Sequence, residues 1–125
     1  MLGPMYPRPA EIEVFLLKLK RRLENSGFSV FQNLTLPGAS GVNHRFDLVV
    51  QSVNEEAAVT VINEVEEIGA VIMLVSRAID VKAKQLLVCG RIGAKAFKAL
   101  RKVGFRILVG FDVDEAYEAI SEMLG

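Results

Sequence analysis

Two short apolar runs, Gln85–Cys89 (QLLVC) and Phe105–Val109 (FRILV), constrain this chain most. A strand covered on both faces reads as a near-continuous apolar run, and such strands are characteristic of parallel sheet. The stretch between them, 94–103, has helical period and supplies the crossover that parallel strands need. The first half has a different texture. Phe28–Leu36 (FSVFQNLTL) alternates and is rich in aromatic and β-branched residues, as expected of a strand with one wet face. Arg45–Gln51 and Ala57–Val65 read as two further strands, joined through Ser52–Glu56 by a link short enough for a hairpin. Pro37–Gly41 is a turn.

Helices frame these strands. Ile12, Phe15, Leu16, Leu19 and Leu23 recur at helical spacing from Ala10, and Gly27 suits a left-handed cap after Asn25. Ile68, Val71, Ile72, Val75 and Ile79 are expected to share one face of a helix running to about Val81. Gly90–Gly93 is expected to turn into the helix starting at Ala94, which Gly104 caps. A last helix spans Asp112–Leu124, with Asp114 and Glu115 near its N-terminus. The expected order is α-β-β-β-α-β-α-β-α. It describes an α/β protein whose mixed sheet carries helices on both faces.

At 125 residues the chain is expected to be a single domain over 10–125, preceded by an irregular arm, 1–9, that holds Pro4, Pro7 and Pro9. With 51% hydrophobic residues it can bury a core, which argues against disorder. No run reaches a membrane span, and the start has no apolar signal-peptide region. A single cysteine excludes an internal disulfide framework and fits a reducing cytoplasm.

Fifteen Lys and Arg balance fifteen Asp and Glu, yet the charge is segregated. Residues 82–106 carry Lys82, Lys84, Arg91, Lys95, Lys98, Arg101, Lys102 and Arg106, with no acid. Residues 53–81 and 107–125 each sum to −5. A second basic group, with Lys18, Arg21 and Arg22, lies on the first helix. Such runs are either solvated faces or surfaces that track phosphates. Aromatic residues in the long run are only Phe97 and Phe105, too few for base stacking along single strands.

Four features invite a chemical reading, and each has a structural one. Asp47 is a strand acid that can be a metal ligand or a hydrogen-bonded structural carboxylate. His44, the single histidine, is suited to hydrogen bonding in a turn more than to acid–base work. Cys89 reads as a small buried hydrophobe. The turn Gly38–Gly41 can support strand entry or offer backbone N–H groups to an anion.

The segment Gly27–Val30, the following strand, and Pro37-Gly38-Ala39-Ser40-Gly41-Val42-Asn43-His44-Arg45-Phe46-Asp47-Leu48-Val49-Val50 resembles the opening of the Mrr-like branch of the PD-(D/E)xK nuclease superfamily. That branch has a Gly-rich turn leading to an acid within an apolar strand, and Asp47 falls on it. Ala78–Val88 and Phe105–Val109 fit the later elements, so the resemblance spans about residues 10–111. It implies a restriction endonuclease-like fold. In active members the strand acid and an acid-x-Lys pair on the next strand hold Mg²⁺ and activate water. Positions two apart on a strand face the same way, which explains that spacing.

Here the second half of the motif is missing. Ala57–Val65 (AAVTVINEV) holds no lysine and no acid before Glu64, and the nearest downstream base is Arg77. A relocated centre would need Glu64, or Glu11 and Glu13, with a migrated lysine such as Lys82. Asp47 is therefore expected to be a relic, a metal ligand only if the chain is active, and no cofactor is expected unless Mg²⁺ is. The resulting expectation is a non-catalytic nuclease-fold protein that binds DNA or a protein partner through its basic residues, Lys18, Arg21, Arg22, Lys82, Lys84, Arg91, Lys95, Lys98, Arg101 and Lys102. It would have no membrane association, and a homo-oligomer is plausible.

A second resemblance competes. Cys89–Phe105 (CGRIGAKAFKALRKVGF) and Val113–Ala116 are similar to the end of the nitrogenase iron-molybdenum cofactor biosynthesis family, which would imply a metallocluster carrier. It covers only about residues 85–121. A proline arm and a long helix stand where that family's first strand would be.

Overall fold

The computed structural model describes residues 10–125; the proline-rich 1–9, expected to be an irregular arm, lie outside the described residues. Helix α1, Ala10–Asn25, buries Ile12, Phe15, Leu16, Leu19 and Leu23 as its period demands. Gly27, at φ +94°, turns the chain out of it through a conformation that costs other residues a Cβ clash. Three antiparallel strands follow: β1 (Ser29–Pro37), β2 (Asn43–Gln51) and β3 (Glu56–Val65). The remainder is βαβαβα: α2 (Ile68–Asp80), β4 (Lys84–Ile92), α3 (Ala94–Lys102), β5 (Arg106–Val109) and α4 (Val113–Leu124). Strand β4 pairs in parallel with β3 and with β5, so the mixed sheet runs β1-β2-β3-β4-β5. The element order is the one the sequence implies.

Alternation within β4 shows why its sequence is apolar throughout. Leu86 and Val88 enter the cluster that α1 and α4 build on one face, with Leu48, Val50, Val59 and Val61. Leu87 and Cys89 enter the opposite cluster, with Leu74 of α2, Ala96 and Leu100 of α3, and Phe105. Burying each such aliphatic side chain contributes about 1.5–3 kcal/mol before entropy is subtracted. A third, smaller cluster (Phe46, Val49, Ala58 and Val81, with Leu34, Leu36 and Ala83) fills the space where the β1–β2 hairpin folds over the end of α2.

Two local expectations need correction. Gly90, Arg91 and Ile92 do not form a turn; β4 continues through them, with Arg91 opposite Glu64 and Ile92 opposite Val65. Gly90 belongs there because a Cβ would stand 2.9 Å from the Asn63 carbonyl oxygen and close to the Phe111 ring. The five apolar residues expected to share one face of α2 do not all meet the sheet. Leu74 is fully buried and Val71, Val75 and Ala78 pack beside it, while Ile68, Ile72 and Ile79 point outward at 78%, 59% and 75% exposure. The helix is apolar nearly all round, so periodicity could not choose which stripe meets the sheet.

Candidate functional site

The β2–β3 ladder is short. Leu48–Gln51 pair with Glu56–Val59, and there the pairing stops. At the next position of β2 stands Asp47, only 5% exposed. Its Oδ2 accepts a hydrogen bond from the Val61 backbone N–H at 2.7 Å, so a carboxylate takes the place of a ladder carbonyl where the strands part. Leu48 and Val50 face α1 and α4, while Asp47 faces the charge of Arg77 from α2 on the other side of the sheet.

The charges gathered there are cationic. Arg45 Nη1 lies 3.7 Å from Asp47 Oδ1. Arg77 reaches in from α2, its guanidinium 5.3 Å from the centre of the Phe46 ring and 3.4 Å from the Thr60 hydroxyl, to which it donates. Partial burial pulls the Arg77 guanidinium below its ordinary value; the Asp47 carboxylate opposes that shift and Arg45 adds to it. Thr60 and Ile62, two apart on the same face of β3, stand where acid-x-Lys would be needed. Instead of a carboxylate and an ammonium they offer a buried hydroxyl and an apolar chain.

This donor set does not suit Mg²⁺, which binds through several hard oxygen ligands. One Asp47 oxygen is engaged by a backbone N–H, and the neighbouring side chains are guanidinium groups. Among the described residues no group of three or more His, Cys, Asp and Glu is placed to hold a metal ion. The residues proposed for a relocated centre are dispersed. Glu11 and Glu13 are exposed on α1, across the sheet. Glu64 lies 3.8 Å from Arg91, and Lys82 sits beside Asn54, Glu55 and Glu56 at the start of β3.

His44 and the Gly38–Gly41 turn have a different task. His44 Nε2 is 2.7 Å from Asp80 Oδ2, at the end of α2. The Ser40 amide and hydroxyl donate to the same carboxylate at 2.8 and 2.7 Å, and the Ala39 amide donates to the Asp80 carbonyl at 2.9 Å. The turn does bind an anion, an internal one. Hydrogen bonds from His44 and then from Ser40 hold the Asp80 carboxyl down at about 2, against an ordinary 3.8. Ser40 bonds the carboxylate and not the imidazole, so the three residues are no nucleophile–base relay. A Cβ at Gly38 would fall 1.8 Å from Asp80 Oδ2, so any larger residue there would have to displace the bound carboxylate. Cys89 is fully buried, and burial pushes its thiol up, away from the reactive thiolate.

The basic residues divide into two populations. Lys84 pairs with Glu55 and donates to the Met123 carbonyl, Arg91 lies between Glu64 and Glu66, and Arg106 pairs with Glu122. Lys95, Lys98, Arg101 and Lys102 crowd the outer surface of α3, exposed and with no ion-pair partner among the described residues. Ala96 and Leu100 anchor the inner face of that helix. Lys18, Arg21 and Arg22 lie across the sheet on α1, where Arg22 pairs with Asp114 and stacks on the Tyr117 ring. The two basic groups thus do not form one continuous surface.

The fold resembles that of the restriction endonucleases. A repair endonuclease from Pyrococcus abyssi superposes with a TM-score of 0.51 at 15% identity, over 86% of this chain and 49% of that one. Can2 from Sulfobacillus thermosulfidooxidans, solved in complex with cyclic tetra-adenylate, gives 0.64 at 11% identity, over 90% of this chain and 35% of that one. Pyrococcus furiosus SfsA in complex with Ca²⁺ gives 0.50 at 15% identity, over 78% and 54%. The chain therefore spans between about a third and just over half of the length of these proteins. No protein-family model matches the chain, and no curated protein matches its sequence. Among the described residues no helix is long and apolar enough to cross a membrane.

Sequence reasoning found Asp47 but missed the partners of both carboxylates. Arg77 stood out only as the one base near β3. Nothing in the sequence tied Asp80 to Ser40 and His44, which are 40 and 36 positions away.

Proposed function

We propose that this chain is a nuclease-fold domain that binds DNA without cutting it. The observation that carries the reading is the outer face of α3: four cations within eight residues, without acids to quench them. A helix face of this kind neutralises successive phosphates of a duplex and carries no sequence information of its own. The arginine-filled surroundings of Asp47 support the non-hydrolytic half of the reading, because a metal-dependent cut needs oxygen ligands where this chain has guanidinium groups. The endonuclease among the structural neighbours supports a nucleic-acid partner by likeness of fold alone.

Fluorescence anisotropy with labelled duplex DNA at two salt concentrations tests it. Binding at low salt that weakens steeply as salt rises is the expected result. No binding at low salt, or binding indifferent to salt, overturns it.

A further inference from the structure

We infer that α2 is the interface of a two-fold symmetric dimer, packed antiparallel against α2 of a second copy. The outward stripe of this helix is Ile68, Ile72 and Ile79, and Val75, which packs inward beside Leu74, lies at its edge and completes a 4-3-4 spacing. That is the seam along which two helices interlock as knobs into holes. Three of the four side chains are more than half exposed, and Val75 is half-buried. Exposed isoleucines scattered singly are ordinary, but a continuous apolar line along a 13-residue helix marks an interaction surface. Gly69 and Ser76, one heptad apart on the flank of the seam, let a partner helix approach closely.

The charges at the ends of the helix select the occupant and its direction. Within α2 only Arg77 and Asp80 are charged, and both are engaged inside the subunit. Just before the seam stand Glu66 and Glu67; just after it stands Lys82. Glu67 and Lys82 are exposed and have no ion-pair partner among the described residues. Antiparallel pairing of identical helices sets Glu67 of each copy against Lys82 of the other. Parallel pairing would set like against like. A two-fold axis across the middle of α2 satisfies both pairs and buries the three exposed isoleucines of each copy. The surface is thus complementary to itself.

Sedimentation equilibrium of the full chain across a concentration series tests this. A reversible monomer–dimer equilibrium is expected, with Ile72→Glu raising the dissociation constant by ~10-fold or more. Glu67→Lys and Lys82→Glu should each weaken the dimer, and the double exchange should restore it. This charge swap leaves the seam intact and decides the question even where Ile72→Glu disturbs folding. A chain that stays monomeric throughout overturns the inference. So does a dimer that Ile72→Glu leaves unchanged, or a double exchange no tighter than the single ones.

Discussion

His44 donates from β2 to Asp80 at the end of α2, Nε2 to Oδ2 at 2.7 Å, and fastens the tip of the first hairpin to a residue 36 positions later. Ser40 adds its amide and hydroxyl to the same carboxylate. The contact joins elements that share no strand ladder, beside the apolar cluster of Phe46, Val49 and Val81.

The Asp80 carboxyl sits at about 2 in the folded chain against an ordinary 3.8. A depressed carboxyl contributes stability above the unfolded value, and that contribution disappears as pH falls through the folded one. Stability should therefore decline between pH 3.8 and about 2 with a component owed to Asp80. Urea melts across that window should show a shallower decline for Asp80→Asn. His44→Ala removes the largest cause, so a carbon-detected NMR titration should find the Asp80 midpoint moved up. An unchanged midpoint would refute the role given to His44.

Asp47→Ala should destabilise the fold by about 1–3 kcal/mol, since it removes the buried carboxylate that accepts from the Val61 N–H and faces the half-buried Arg77; the exposed Arg45 adds little. Asp47→Asn keeps an acceptor and should cost less. Chemical denaturation measures both. A loss below about 0.5 kcal/mol for the alanine variant would mean that this carboxylate does not organise the fork.

Supercoiled plasmid incubated with Mg²⁺ should remain supercoiled, and Asp47→Ala should leave the outcome unchanged. Nicking that depends on Mg²⁺ and disappears with Asp47 would show that oxygen ligands do assemble there, against the geometry of Arg45, Arg77 and Thr60.

For DNA, Lys95→Ala with Lys98→Ala should weaken binding alike on all sequences and reduce the slope of log K against log salt by about 1.8, two phosphate contacts' worth. Lys18→Ala with Arg21→Ala, across the sheet, should leave anisotropy titrations unchanged. All four are exposed, so stability should move by no more than about 0.5 kcal/mol in either pair. An equal effect from the α1 pair would shift the site to the other side of the molecule.

The order of elements was legible because each has a period of its own: 3.6 in α1, alternation in β1, continuous burial in β4. The limits came where two solutions share a period. Leu74 and Ile72 are both apolar and differ only in which side of α2 the sheet occupies, and the sequence of a helix apolar on both sides does not choose. Gly90 read as a turn because glycine breaks strands more often than it relieves a neighbour such as Asn63. At the candidate site, Asp47 was visible from its strand and the missing acid-x-Lys from the next one. Arg77 was noted only as the nearest base, and its place at the site was not legible, since that depends on how α2 lies across β2 and β3. Charge segregation was equally plain, but local sequence could not show that Lys84, Arg91 and Arg106 are neutralised by carboxylates while α3 is not.

Strands β2 and β3 separate after four paired positions, with Asp47 at the crotch. Beyond it the hairpin is tied down again by Asp80, so this arm of the molecule is secured at its root and at its tip. To swing this arm as a gate, the chain would first have to give up the Asp80 bonds to Ser40 and His44, so a partner that approaches this side meets the hairpin docked unless it breaks them.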